Sequence, residues 1–99
     1  KNTFIFNGIK FHQNESVLIY GKKSVKLTEK ENKILVELIK SEKDDISKEI
    51  IIQKVWEMRK NVATHVLESH IHRIRKKIKS INKNKIICTS SKGYYILKN

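Results

Sequence analysis

The chain has 99 residues, which suffices for one small domain, and its single cysteine, Cys88, excludes an intramolecular disulfide. No apolar run approaches the ~18 residues that a membrane-spanning helix needs. The formal net charge is +12, and residues 59–99 hold eleven Lys and Arg against a single acid, Glu68. So basic a second half predicts nucleic-acid binding, although a merely solvated, lysine-rich surface stays an alternative.

The opening of the chain predicts a small antiparallel sheet of three or four strands. The strands are runs rich in β-branched and aromatic residues: Phe4–Phe6, Ile9–Phe11, Val17–Tyr20 and the alternating segment Ser24–Leu27. The pair Asn7-Gly8 favours a tight turn between the first two strands.

Two helices are predicted next. Thr28 and Glu31 have the spacing of a capping box, in which each side chain accepts a hydrogen bond from a backbone N–H group of the other, so we place a helix over 28–41. Ser47 is the predicted cap of a second helix, which runs to about Trp56. Trp56 and Cys88 are both interpreted as buried core residues.

A third helix over 64–80 gives the clearest helical pattern, because its apolar residues recur at spacings of four, three and four: Leu67, Ile71, Ile74, Ile78. Either Asn61 or Thr64 could cap this helix. Ile86–Thr89 and Tyr94–Leu97 then predict two strands joined by a hairpin turn at 90–93.

The opposite face of the third helix carries the residues that indicate a function. Residue types that can read base edges lie toward its N-terminal half: His65, Val66, Glu68, Ser69, His72. Cations suited to phosphates follow toward the C-terminal half, as at Arg73 and Lys76. This order is typical of a recognition helix in the major groove. Any amphipathic surface helix also has a polar face, so the following hairpin, with Lys92 at its tip, is what favours a winged helix.

No other chemistry is indicated by the sequence. The histidines lack the i,i+4 spacing of a helical metal site, and no cysteine pair has zinc spacing. The three glycines form no phosphate-binding loop. We therefore expect no metal, no cofactor and no enzymatic activity.

An ordered set of motifs resembles the effector domain of OmpR/PhoB-type response regulators over essentially the whole chain. The motifs are Leu27-Thr28 with Glu31 and Ile34-Leu35, Ser47-Lys48-Glu49 with Val55-Trp56, the run His70–Ile78, and Gly93-Tyr94. The resemblance implies an α+β fold: a winged helix-turn-helix with a four-stranded N-terminal antiparallel sheet, three helices and a C-terminal β-hairpin wing. Residues 1–99 would form this one domain.

The resemblance also implies a setting and a role for individual residues. Members of the family are cytoplasmic bacterial transcription factors that bind tandem half-sites in double-stranded DNA, with dimerisation on the DNA left open here. A receiver domain, phosphorylated through a sensor kinase, would precede this chain, which begins at Lys1 and reads as a fragment. The implied contacts are His65, Val66, Glu68, Ser69 and His72 with bases; Thr64, Arg73, Arg75 and Lys76 with phosphates; Ser90, Ser91, Lys92 and Tyr94 in the wing; and Met58, Arg59, Lys60 and Asn61 with RNA polymerase.

Two departures from the family pattern affect specificity. Residues 65–69 read His-Val-Leu-Glu-Ser where members often have Arg-Thr-Val-Asp-Val, so a base preference cannot be transferred. The wing lacks the family's usual arginine. Two alternatives stay open: a basic RNA-binding module that stacks bases on Phe4, Phe6 and Phe11, and a winged helix that binds a protein instead of DNA.

Overall fold

The computed structural model describes residues 2–41, 44–57 and 61–97, and it begins with a four-stranded antiparallel sheet. The strands are β1 (Thr3–Phe6), β2 (Ile9–His12), β3 (Val17–Tyr20) and β4 (Lys23–Lys26), paired in that order. Asn7 and Gly8 join the first two strands with φ values of 51° and 76°. Positive φ at both central residues is what a two-residue hairpin of this twist requires, so the predicted turn is confirmed.

Three helices follow the sheet, close to their predicted bounds: α1 (Glu29–Lys40), α2 (Lys48–Val55) and α3 (Thr64–Ile81). The predicted capping box is present, because Thr28 Oγ1 accepts from the Glu31 N–H at 3.3 Å while Glu31 Oε1 accepts from the Thr28 N–H at 2.9 Å. Ser47 caps α2 by accepting from the Ile50 N–H at 3.2 Å. Within the part of the chain described, none of these helices is long and apolar enough to cross a membrane.

The start of α3 corrects one expectation. Neither Asn61 nor Thr64 caps it: the N-cap residue is Ala63, which offers no side-chain hydrogen bond. Thr64 is itself the first helical residue, and Asn61 lies two residues before the cap. A prediction one residue out at a helix end is common where no acceptor side chain marks the boundary.

A second, three-stranded sheet closes the chain and contains a strand that the sequence did not reveal. It consists of β5 (Ile46–Ser47), β6 (Ile87–Thr89) and β7 (Gly93–Ile96), with β7 in the centre. The strands β6 and β7 form the predicted hairpin. The two residues of β5 pair antiparallel with β7, Ile46 opposite Tyr94 and Ser47 opposite Gly93, which ties the start of α2 to the hairpin.

The core lies between the two sheets and takes one face from each helix. The predicted stripe of α3 is buried, and Leu67, Ile71, Ile74 and Ile78 are each at most 3% exposed. Cys88 is buried, as expected, whereas Trp56 is only half-buried and packs against the core from its edge. Phe6 and Phe11 are buried as well, and Phe4 stacks on Phe11 with ring centroids 5.8 Å apart. The aromatic rings on which an RNA-binding module would stack bases are therefore packed in the core or against it.

Candidate nucleic-acid interface

The outer face of α3 is open to solvent along most of its length. His65, Ser69 and His72 are exposed, and Val66 is half-buried at the edge of this face. Thr64, Arg73 and Lys76 are exposed as well. Because a helix turns about 100° per residue, His65 and His72, seven residues apart, lie almost on one line along the axis. His65, Ser69 and His72 thus form one polar strip that no described residue covers, with Val66 at its edge.

Glu68 is held by a neighbouring helix. Its Oε2 atom lies 2.9 Å from the Nζ atom of Lys48, the first residue of α2. The hydrogen bond with Glu68, together with the nearby Tyr94, raises the pKa of the Lys48 ammonium. The carboxylate is therefore already engaged in the free protein, and it can accept a hydrogen bond from a cytosine only if it shares or exchanges this lysine.

Arg73 and Lys77 of α3 both contact Glu31 of α1, whose side chain is fully buried. The Nζ atom of Lys77 donates to Glu31 Oε1 at 2.6 Å. Glu31 Oε2 makes no hydrogen bond within the described residues but lies 3.4 Å from Arg73 Nε. The same carboxylate caps α1 and fixes α3 to it. Arg73 remains half exposed, so the rest of its guanidinium can still reach a phosphate.

Arg75 joins α3 to the hairpin. Its guanidinium donates to the Ile87 carbonyl oxygen at 3.1 Å and to Thr89 Oγ1 at 2.7 Å. It also lies over the ring of Tyr94, 5.7 Å from the centroid, and Lys48 lies 5.8 Å from the same ring. Tyr94 is 3% exposed. Arg75 was expected at a phosphate and Tyr94 in the wing. In the structure, these two residues instead connect α3 to the hairpin.

The hairpin turn presents a small polar tip. Ser90 Oγ accepts from the Gly93 N–H at 3.0 Å, and the Ser90 N–H donates to the Gly93 carbonyl at 2.8 Å, which closes the turn. Ser91 and Lys92 are exposed at its tip. A hydrogen bond from the Ser90 side chain, with a smaller effect of the Lys92 charge, lowers the pKa of the Asp45 carboxyl. Asp45 therefore lies beside the hairpin tip, although it comes 45 residues before Ser90 in the chain, and no local sequence pattern indicates this pairing.

Of the loop expected to contact RNA polymerase, Met58, Arg59 and Lys60 lie outside the described residues. Asn61 is exposed, three residues before the start of α3.

Comparison with known proteins identifies the family. Residues 21–96 match the family described as "Transcriptional regulatory protein, C terminal", and the chain belongs to this family. The C-terminal domain of the nisin resistance regulator NsrR, a lantibiotic response regulator, is 33% identical, with 93% of each chain covered and a TM-score of 0.79. No curated protein sequence matches the chain.

Two further structures extend the comparison. The response regulator DrrB of Thermotoga maritima, an OmpR/PhoB homologue, is 26% identical with a TM-score of 0.80 over 97% of this chain, which spans 44% of that protein. The DNA-binding domain of Klebsiella pneumoniae RstA, solved in complex with the RstA box, is 18% identical with a TM-score of 0.79 and 97% of each chain covered.

These matches confirm the resemblance drawn from the sequence. The chain is an OmpR/PhoB-type winged-helix DNA-binding domain of the kind found at the C terminus of response regulators, a class of transcription regulators and not of enzymes. In the winged-helix fold, the hairpin of β6 and β7 is called the wing, and α3 occupies the position of the recognition helix.

Proposed function

We propose that the outer face of α3 enters the major groove of double-stranded DNA and reads its sequence, while the wing contacts the backbone beside it. One observation carries the proposal: the helix that buries an unbroken apolar stripe leaves a polar strip uncovered, and the wing is fixed beside that strip through Arg75. The major groove, about 12 Å wide, accepts a helix presented in this way.

The proposed roles differ from residue to residue. His65, Ser69 and His72 face base edges, Val66 meets a thymine methyl group, and Glu68 takes part when Lys48 releases or shares it. Thr64, Lys76 and the free part of Arg73 bind phosphates. Arg75 and Tyr94 act by positioning the wing, whose Ser90, Ser91 and Lys92 reach the backbone. Phosphate contacts of this kind set register and affinity, whereas base contacts set specificity.

We further propose that this domain works in the setting typical of its family. The RstA domain, with the same fold, was solved on its own DNA box, which supports binding to a defined site. DrrB is a response regulator of which this chain matches less than half, which supports a receiver domain and a sensor kinase upstream. Tandem half-sites, a bacterial cytoplasmic location and a polymerase contact through residues 58–61 belong to the same proposal.

The base-reading and phosphate-binding roles predict two different effects on the binding of a duplex, which is chosen by random-oligonucleotide selection with the isolated domain. Ser69→Ala is expected to relax preference at one position by about 1 kcal/mol, roughly fivefold, because it removes a base-edge hydrogen bond. Lys76→Gln is expected to weaken all sequences alike and to lower the slope of log affinity against log salt by about 0.9, the value for one lost phosphate contact. Fluorescence-anisotropy titrations at several salt concentrations measure both effects.

Lys22→Gln serves as the matched control, because Lys22 is an exposed lysine in the turn between β3 and β4. It removes the same charge and is expected to leave specificity unchanged and affinity nearly so. If Ser69→Ala and Lys76→Gln gave indistinguishable profiles, the assigned roles would be wrong. If selection enriched no duplex even at low salt, the domain would instead be a protein-binding winged helix.

A further inference from the structure

A basic cleft lies at the far end of the recognition helix, between the last turns of α3 and the strand β6. It has a volume of about 380 Å³, and its rim carries four cationic side chains: Arg75, Lys79, Lys83, Lys85. Its floor includes Ile78 and Ile86, both buried. Its lining also includes Thr89, the last residue of β6, and Asn84 in the turn that follows α3.

The cleft has little in its surroundings to neutralise it. From residue 69 to residue 99 the sequence contains no Asp or Glu. Lys79, Lys83 and Lys85 are exposed, and none of them takes part in the ion pairs found among the described residues. Three unpaired lysines around one concave surface repel one another, and a polyanion that binds there relieves this repulsion.

Helix geometry places the cleft in line with the proposed reading face. His65, His72 and Lys79 are spaced by seven residues, so the three side chains lie almost on one line along α3. Lys79 is about 10 Å beyond His72 at 1.5 Å per residue. The major groove is about 12 Å wide. A helix whose first half lies in this groove therefore reaches the DNA strand that borders the groove within about 10 Å.

We propose that this cleft binds DNA backbone phosphates that flank the base-reading segment, so that the domain's footprint extends beyond the groove occupied by α3. The proposal rests on the function proposed above. The chemistry recognised is the phosphate group. The duplex is its source because the cleft continues the strip that carries His65 and His72. Lys79, Lys83 and Lys85 would add affinity that depends on salt and not on base sequence.

The test compares a triple variant, Lys79→Gln, Lys83→Gln and Lys85→Gln, with a control triple variant, Lys10→Gln, Lys22→Gln and Lys26→Gln. The control lysines are exposed on the N-terminal sheet and its turn, so both variants lose the same net charge. Each protein is titrated with the selected duplex trimmed to its informative positions, and with the same duplex lengthened by about ten base pairs, one helical turn, at each end.

The cleft variant is expected to lose affinity on the long duplex and to bind the trimmed one nearly as well as the unsubstituted domain. On the long duplex, raising salt from about 50 to 200 mM should weaken the unsubstituted domain about 40-fold more than the cleft variant, the effect of three phosphate contacts. The control variant should behave like the unsubstituted domain on both duplexes.

Three results would overturn the proposal. The first is an equal loss in both variants, because net charge alone would then matter, or an equal loss by the cleft variant on both duplexes, because the phosphates it contacts would then lie within the trimmed site. The second is no loss on either duplex. The third is unchanged DNA binding by the cleft variant together with a lost affinity for tripolyphosphate, because the cleft would then serve a free anion. Failure of the proposed function is distinct, since the unsubstituted domain would then select no duplex at all.

Discussion

Gly93→Ala is expected to lower the free energy of unfolding by about 3 kcal/mol or more, since overpacking against atoms that cannot yield costs at least the usual 1–3 kcal/mol. A Cβ atom at Gly93 would lie 2.0 Å from the Ile46 carbonyl oxygen and 2.9 Å from the Ser47 Cα atom. Both are backbone atoms of β5, so β5 must separate from β7 to make room. Urea unfolding followed by tryptophan fluorescence measures the loss.

Gly21→Ala is the matched control for this prediction. A Cβ atom there has nothing within 4 Å, but its φ of 61° makes a side chain cost about 1 kcal/mol. The two variants thereby compare a glycine that has no room for a Cβ atom with one that has room but a positive φ. Equal losses for the two variants would mean that the pairing of β5 with β7 does not exclude a side chain. Because Ser47 begins α2 and Gly93 closes the wing turn, Gly93→Ala should weaken DNA binding as well.

Glu31→Gln is expected to lower the free energy of unfolding by about 2 kcal/mol at neutral pH. Removing one partner of a buried ion pair usually costs about 3–5 kcal/mol, but Lys77 and Arg73 both reach solvent and are partly rehydrated when the charge is lost. The amide can keep accepting from the Thr28 N–H, so the variant isolates the charge from the cap. Glu29→Gln, on the exposed side of the same helix turn, is the control and should change stability by less than about 0.5 kcal/mol.

The pH dependence of this loss has a defined direction. Burial alone would raise the pKa of Glu31, but the hydrogen bonds from Lys77 and from the Thr28 backbone, with the Lys77 charge, outweigh it and lower the pKa below its ordinary 4.5. The unfolded chain therefore binds this proton more readily than the folded one. The contribution of the carboxylate is complete above pH 4.5 and is lost as the pH falls through the folded value. The gap between the unsubstituted domain and Glu31→Gln should close over that range, and a constant gap would contradict the buried pair.

The elements with strong local patterns were predictable from the sequence. The capping box of Thr28 and Glu31, the Asn7-Gly8 turn and the stripe along α3 each depend on residues close together in the chain. The strand β5 was not predictable, because two residues carry no periodicity and the strand exists only through its distant partner Gly93. The α3 cap was misplaced because Ala63 offers no side-chain acceptor.

For the interface, the sequence predicted which residue types lie on the outer face of α3 but not what holds them. Glu68 looked like a free reader, but Lys48 comes from twenty residues earlier in the chain. Arg75 looked like a phosphate ligand, but its partners Ile87 and Thr89 follow the helix and meet it only in the fold. Such pairings connect different elements, so no spacing rule within a helix could have found them. The same holds for Lys77 and the buried Glu31, 46 residues apart.

The proposal that DNA binds to the outer face of α3 is most directly tested by the backbone amide chemical shifts of the domain, recorded while a selected duplex is titrated in. The largest changes should fall in residues 64–76 and 89–93, with few in β1–β4. Changes concentrated in β1–β4, with α3 and the wing unaffected, would contradict the account, because the duplex would then be bound by a different surface.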